Sequence, residues 1–272
     1  MTGIHLVIFC SQEYRELFLD HCVFSIEQFV QDKIASKLIV SDISFDYKDF
    51  DVINDRELWS KFDPDFNHKT LFDDTWTKQQ ILKLSVDKIK QGNVLIVDAD
   101  LIFLKPVRFV KGGKFNFYTG NEFDPRYFHL IKDTLGIEKQ LENSFITDFE
   151  LFNTDILDDL KSEIKERKHT EWLLALSSLL TPSAEVFASN KDSECLLLSE
   201  YELYGSYVLS FHRDRVNKVI KPIRYRDWAY FKADYIKETS SAKLIEQLHR
   251  RYKNYYQSIR VGSRIETMLS LI

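Results

Sequence analysis

The run Val94-Leu95-Ile96-Val97 is interrupted by Asp98-Ala99-Asp100, resumes as Leu101-Ile102-Phe103-Leu104, and stops at Lys105-Pro106. Four consecutive β-formers without polar alternation predict a strand buried on both faces, which commits the chain to a sheet with helices packed on either side. Two carboxylates one residue apart at the end of such a strand can turn together toward one cation, because hard divalent metals take oxygen ligands. A cation held there suits a diphosphate. The same aspartates also suit a strand-end turn in which each bonds local backbone amides, as Asp does in loops.

What precedes this stretch narrows the fold. Ile4 to Cys10 is almost wholly apolar and predicts a first, central strand. Apolar residues at Tyr14, Leu17, Phe18, Cys22, Ile26 and Phe29 predict one helix over Glu13 to Phe29, and Leu38-Ile39-Val40 predicts a second strand. Strand, helix and strand in that order form the βαβ unit with which nucleotide-binding α/β folds begin. No Gly-rich loop follows the first strand, so a bound phosphate needs another cradle, such as a metal. Ser11, just past the strand, is a candidate to touch a nucleobase or to cap the helix. Thr77-Lys78-Gln79-Gln80 fits a capping box opening a helix with Ile81, Leu82, Val86 and Ile89 on its apolar face. Lys78 and Gln80 in its first turn face a ligand or serve the cap.

Beyond Pro106, Gly112-Gly113 predicts a turn and Phe115 to Tyr118 a strand returning beside Val94–Asp98. Phe145 to Asn153 mixes strand-like alternation with acids, among them Asp148, a candidate for sugar hydroxyls or a salt-bridged acid. Asp155 to Lys168 and Trp172 to Leu180 predict helices. The apolar Leu196-Leu197-Leu198 then leads into Ser199-Glu200-Tyr201-Glu202-Leu203-Tyr204-Gly205. Read as extended, that segment carries Glu200 and Glu202 on one side.

With 272 residues, 21 Phe, 13 Tyr and few Gly or Pro, the chain is predicted to form one globular core with a C-terminal extension, residues 1–210 and 211–272. Disorder and repeat arrays are excluded. Residues 213 to 264 hold 14 Lys+Arg against 5 Asp+Glu on an otherwise acidic chain of net charge -5. A basic helical segment interleaved with tyrosines, Lys243 to Tyr256, is expected either to contact an anionic membrane surface or to pack back on the core. Cys10, Cys22 and Cys195 have neither metal-ligand spacing nor an even count, which fits a reducing, cytoplasmic setting, peripheral to a membrane if the basic segment binds one.

Taken together, Ile4 to Cys10, Trp76 to Leu84, Val94 to Pro106, Ser144 to Leu157 and Ser199 to Val208 resemble the GT-A type nucleotide-sugar glycosyltransferases, more narrowly a bacterial and viral group of GT-A-like proteins. The resemblance covers residues 1 to 210. It implies a Rossmann-like three-layer α/β/α sandwich with a mainly parallel central sheet, followed by a basic helical extension. It implies a UDP- or GDP-sugar donor and a glycan, lipid-linked or protein-linked acceptor, with no nucleic acid. Asp98 and Asp100 map onto the family's Asp-x-Asp, which holds Mn²⁺ or Mg²⁺ against the donor diphosphate. His212 is the candidate third ligand by its late position, or a structural histidine. Ser11, Lys78, Gln80, Asp98 and Asp148 are the candidates for donor contacts. Glu200 and Glu202 are the candidates for the carboxylate that takes the acceptor proton.

Two other functions fit parts of the pattern. A haloacid-dehalogenase-like phosphotransferase also places Asp-x-Asp after an apolar strand, but opens with that motif and carries a hydroxyl residue where Ile102 and Phe103 stand. A non-catalytic glycan-binding module would use the aromatics alone.

Overall fold

The computed structural model describes residues 3–62, 75–180, 196–220, 228–252 and 258–264. Strand β1 (Ile4–Phe9) leads to helices α1 (Gln12–Leu17) and α2 (Leu19–Phe29), then to β2 (Ile34–Ser41), β3 (Asp51–Asn54) and α3 (Asp55–Phe62). Helix α4 (Thr75–Leu84) and a 3-10 turn (Val86–Lys88) precede β4 (Asn93–Asp98), β5 (Leu101–Phe103), β6 (Val110–Lys111) and β7 (Lys114–Tyr118). Next come α5 (Pro125–Leu135), β8 (Phe149–Asn153), α6 (Thr154–Lys168), α7 (Trp172–Leu179) and α8 (Glu200–Phe211). The chain continues through β9 (Val216–Ile220), β10 (Trp228–Lys232), α9 (Ala233–Glu238), α10 (Ser241–Tyr252) and β11 (Ser258–Arg264).

The fold is mixed α/β around a five-stranded, mainly parallel sheet of order β3-β2-β1-β4-β8. Only β8 runs antiparallel, against β4. Val94, Leu95, Ile96 and Val97 are each 0% exposed although alternate side chains point to opposite faces, so layers cover the sheet on both sides. β4 lies between β1 and β8, with Val97 opposite both Ile8 and Phe149. The apolar run therefore ends, at Asp98, on an interior strand of the sheet's carboxyl edge, one strand in from β8.

Several boundaries differ from the sequence expectation. The helix expected over Glu13 to Phe29 is two, broken at Phe18, whose φ of -122° leaves the helical range while its N–H still reaches the Tyr14 carbonyl. Thr77 lies inside α4, which starts at Thr75, and Val86 belongs to the following 3-10 turn. Phe115 to Tyr118 forms a strand, β7, but pairs with β6 and β9 in a separate sheet; β8 takes the place beside β4. The β6–β7 turn is Gly112-Gly113, with φ values of 59° and 79° that only glycine adopts freely.

The basic C-terminal segment packs back. Helix α10 sets Leu244, Ile245, Leu248 and Tyr252 against Leu17, Phe18, Ile102 and Leu104, and leaves Arg250 and Arg251 outside. Strand β11 pairs antiparallel with β5, and the Val261 N–H bonds the Asp100 carbonyl at 2.9 Å. Cys10 and Cys22 are buried free thiols; Cys195 and the basic stretch 224–227 lie outside the described residues. No helix among the described residues is long and apolar enough to cross a membrane.

Gly205 shows how tightly α8 is set. A Cβ there would fall 2.3 Å from Cγ of Phe145, itself buried and edge-on to Phe117. Alanine normally gains about 1 kcal/mol over glycine inside a helix. Here overpacking outweighs that, and Gly205→Ala is expected to destabilise by about 1–3 kcal/mol in urea unfolding. A neutral or stabilising result would mean that Phe145 moves aside freely.

Candidate active site

Asp98 ends β4, where the open edge of a parallel sheet leaves a crevice. Its backbone N–H bonds the Asp148 carbonyl at 2.9 Å, which sets the two acids side by side across β4 and β8. Asp148 takes a φ of 62°, a left-handed conformation that Asp tolerates better than most residues. Facing them from α4, Lys83 reaches Asp98 Oδ1 at 2.7 Å and Glu200 Oε1 at 2.8 Å. Its ammonium also lies over the Tyr201 ring, 4.6 Å from the centroid.

Lys83 is only 2% exposed. Burial opposes its charge, yet the Asp98 and Glu200 carboxylates outweigh burial and hold the ammonium above its usual pKa. Burial raises the Glu200 carboxyl, with Lys83 pulling it back down. Gln80 adds to this carboxylate: with its amide nitrogen turned toward Glu200 it donates to Oε1 at 2.8 Å and also abuts Oε2.

Glu200 is presented by the start of α8. Ser199 is the N-cap, its side chain accepting from the Glu202 N–H, so Glu200 occupies the first helical position. The extended reading of this segment is therefore corrected to a helix. In a helix, residues two apart point in different directions, and the two glutamates separate. Glu200 lines the cavity. Glu202 turns away, accepts from the Phe145 N–H at 2.7 Å and from Ser206 Oγ at 3.2 Å, and anchors the loop leading into Asp148.

The cavity has a volume of about 410 Å³ and is lined on one side by Gln80, Lys83, Asp98, Asp148 and Glu200. The start of α5 lines it as well. There Asp124 caps the helix through the Arg126 N–H and also pairs with the Arg126 guanidinium through bonds of 2.9 and 2.7 Å. Trp76 and Tyr127 stand at 6.3 Å between ring centroids, tilted by 31°. Five acids (Asp98, Glu122, Asp124, Asp148, Glu200) face the cavity against two bases, Lys83 and Arg126.

The remaining sequence candidates lie elsewhere. Asp100 is 1% exposed and does not line the cavity. It neighbours the thiols of Cys10 and Cys22, which burial chiefly, and this carboxylate in part, push up, Cys10 to about 12. His212 follows the last residue of α8, so the helix's own length, roughly 18 Å, separates it from Glu200. There its Nε2 lies 3.6 Å from Asp159 Oδ2. It is not brought to the aspartates, which corrects the expected ligand set. Among the described residues no group of three His, Cys, Asp or Glu is arranged to hold a metal ion. Ser11 caps α1 through the Tyr14 N–H, and neither it nor Lys78 lines the cavity.

Sequence reasoning missed Lys83 and the α5 wall. Gln80 and Lys83 are three residues apart and so share a helix face, a signal that pointed to one polar stripe inside an apolar helix. Ser199-Glu200-Tyr201-Glu202 is itself a capping-box pattern, and Asp124-Pro125 pairs an N-cap acid with proline at the first helical position.

No curated protein matches this chain. Among solved structures, the crystal structure of mouse xyloside xylosyltransferase 1 in its apo form aligns over 95% of this chain and 97% of that one, at 12% identity and a TM-score of 0.43. A family model matches residues 21–250, which takes in β4, the cavity and α8. The chain belongs to that family, the family of unknown function DUF6492.

Proposed function

We propose that this protein is a glycosyltransferase that moves a sugar from a nucleoside-diphosphate donor to an acceptor hydroxyl within this cavity. The observation that carries the proposal is Lys83 bridging Asp98 and Glu200 at the floor of a cavity beyond the carboxyl edge of a parallel sheet. In this reading Glu200, which lines the cavity and whose pKa burial raises, receives the proton of the acceptor hydroxyl. Lys83 and Gln80 hold its carboxylate in place. Asp148, beside Asp98, takes donor-sugar hydroxyls.

A diphosphate entering a cavity with five acids and two bases needs added positive charge. Carboxylate oxygens are the donors that Mg²⁺ and Mn²⁺ prefer, and such ions commonly take one or two protein carboxylates together with substrate phosphates. Asp98 fits as that carboxylate, without Asp100 or His212. When bound, the ion would offset charge on the departing nucleoside diphosphate. The alternative of aspartyl phosphotransfer is disfavoured, because Lys83 holds the Asp98 carboxylate and Asp100 is outside the cavity to handle protons.

Calorimetric titration of UDP and GDP, with and without Mn²⁺, tests the reading. Metal-dependent binding that weakens by about tenfold or more in Asp98→Asn is expected. No binding of either nucleotide under any condition, or equal binding by Asp98→Asn, would refute it.

A further inference from the structure

We infer that the part of the cavity between Trp76 of α4 and the start of α5 is a subsite for a neutral pyranose, with Trp76 as its stacking platform. The inference rests on the transferase reading only for its name, the acceptor subsite. Its physical basis is separate.

Most large aromatic side chains here are spent on the core. Trp76 is different: it is 38% exposed while also lining the cavity. Behind it stands Tyr127, tilted 31° from it and only 8% exposed. Trp76 is thus braced by one ring while more than a third of its surface stays open. A pyranose presents a patch of C–H groups on its ring face and hydroxyls around its rim. A braced, partly open indole lining the cavity matches the first, and polar side chains beside it match the second. Those side chains are present: Glu122 and the Asp124–Arg126 pair line the same wall.

Charge selects among sugars. Arg126 spends its guanidinium on both oxygens of Asp124, so the wall offers little net positive charge to an anion. With five acids against two bases around the cavity, a uronate would meet repulsion that a neutral hexose or pentose avoids. A rigid aromatic also costs little conformational entropy on binding. Glu200 lines the same cavity, which is where an acceptor hydroxyl has to arrive.

Saturation-transfer NMR tests this with methyl glucoside, methyl galactoside, methyl xyloside and glucuronate as probes, using the full chain. Transfer to at least one neutral glycoside is expected, with glucuronate weaker by about tenfold. Trp76→Ala is expected to weaken the sugar by about tenfold and Trp76→Tyr to restore most of it, while UDP or GDP affinity stays within about twofold. Sugar signals indifferent to Trp76, absent across the panel, or equal for glucuronate overturn the inference. Loss of nucleotide binding in Trp76→Ala with sugar binding intact would instead make the indole a base platform and also overturn it. Trp76-dependent sugar binding by a chain that binds neither nucleotide would sustain the subsite and sink the transferase.

Discussion

Lys83→Met is expected to cost about 3–5 kcal/mol of folding stability, the largest effect of any single change at the site. Methionine fills similar space, so packing around α4 survives and the loss is electrostatic. Without the ammonium, two carboxylates that sat 2.7 and 2.8 Å from one cation are left facing each other. Asp98, with 16% of its side chain exposed, can draw water from the cavity; Glu200, at 2%, cannot. The penalty therefore falls mainly on Glu200, which must become protonated or open its helix. The check is urea unfolding, where the midpoint should drop at constant slope. Adding Glu200→Gln to Lys83→Met should recover much of the loss, because it removes the stranded charge. A loss under about 1 kcal/mol, the range of surface pairs, would show that the bridge is loose. Lys83→Arg should not substitute, since a planar fork cannot sit between these two acids as a compact ammonium does.

The second large effect is an inverted pH dependence. Burial pushes the Glu202 carboxyl up from 4.5 to about 7, against the opposing pull of the Phe145 N–H, Lys139 and Ser206. A carboxyl whose folded pKa exceeds its unfolded value binds a proton more tightly when folded. Its contribution is fully present below pH 4.5 and is lost as the pH rises through about 7. Glu200 and the wholly buried Glu150 are shifted the same way by burial, and among the described residues neither carboxyl oxygen of Glu150 has a hydrogen-bond partner. Asp20 and Asp87 are shifted down, so their contributions fade only below the ordinary carboxylate range. Between pH 8 and 6 Glu202 alone is therefore expected to add about 1 kcal/mol of stability, or about 2–4 °C in Tm for a chain of this size. Glu202→Gln, which can still accept from Phe145, should flatten much of that rise. His5 and His21, whose pKa burial lowers, oppose this gain in the same window, so a change in Tm from pH 8 to 6 that is the same in Glu202→Gln as in the unaltered chain would refute the assignment.

How much of this was legible in the sequence depended on whether the cause was local. Val94 to Val97 reads as a doubly covered strand because every residue in it is apolar, and β4 is such a strand. The Asp98 position at a carboxyl edge follows from that strand and the βαβ opening. Glu200 and Glu202 were misread because three leucines in front of them suggested continuing extension, while the Ser199 cap, a one-residue signal, starts a helix instead. Lys83 stayed hidden for a different reason. A lysine on a helix is ordinarily solvated, and only acids delivered from β4 and α8 make its burial tolerable. His212 followed the site closely in sequence, yet a helix carries it away along its own length. Asp100 shares a motif with Asp98 but does not line the cavity, and β11 engages its backbone.

That last pairing bears on the order in which the molecule can be completed. Strand β5 follows Asp98 after two residues, and one of its edges is paired by β11, with Ile102 opposite Ile259. A nascent chain that has made the central sheet still presents Leu101 to Phe103 as an apolar, unpaired edge until residues 258–264 have emerged. Such edges invite pairing with other chains, and contacts this distant in sequence form late. The stretch that carries Asp98 is thus an early-made element whose neighbouring strand waits for the last described one, and its interval of exposure is set by the rate of synthesis.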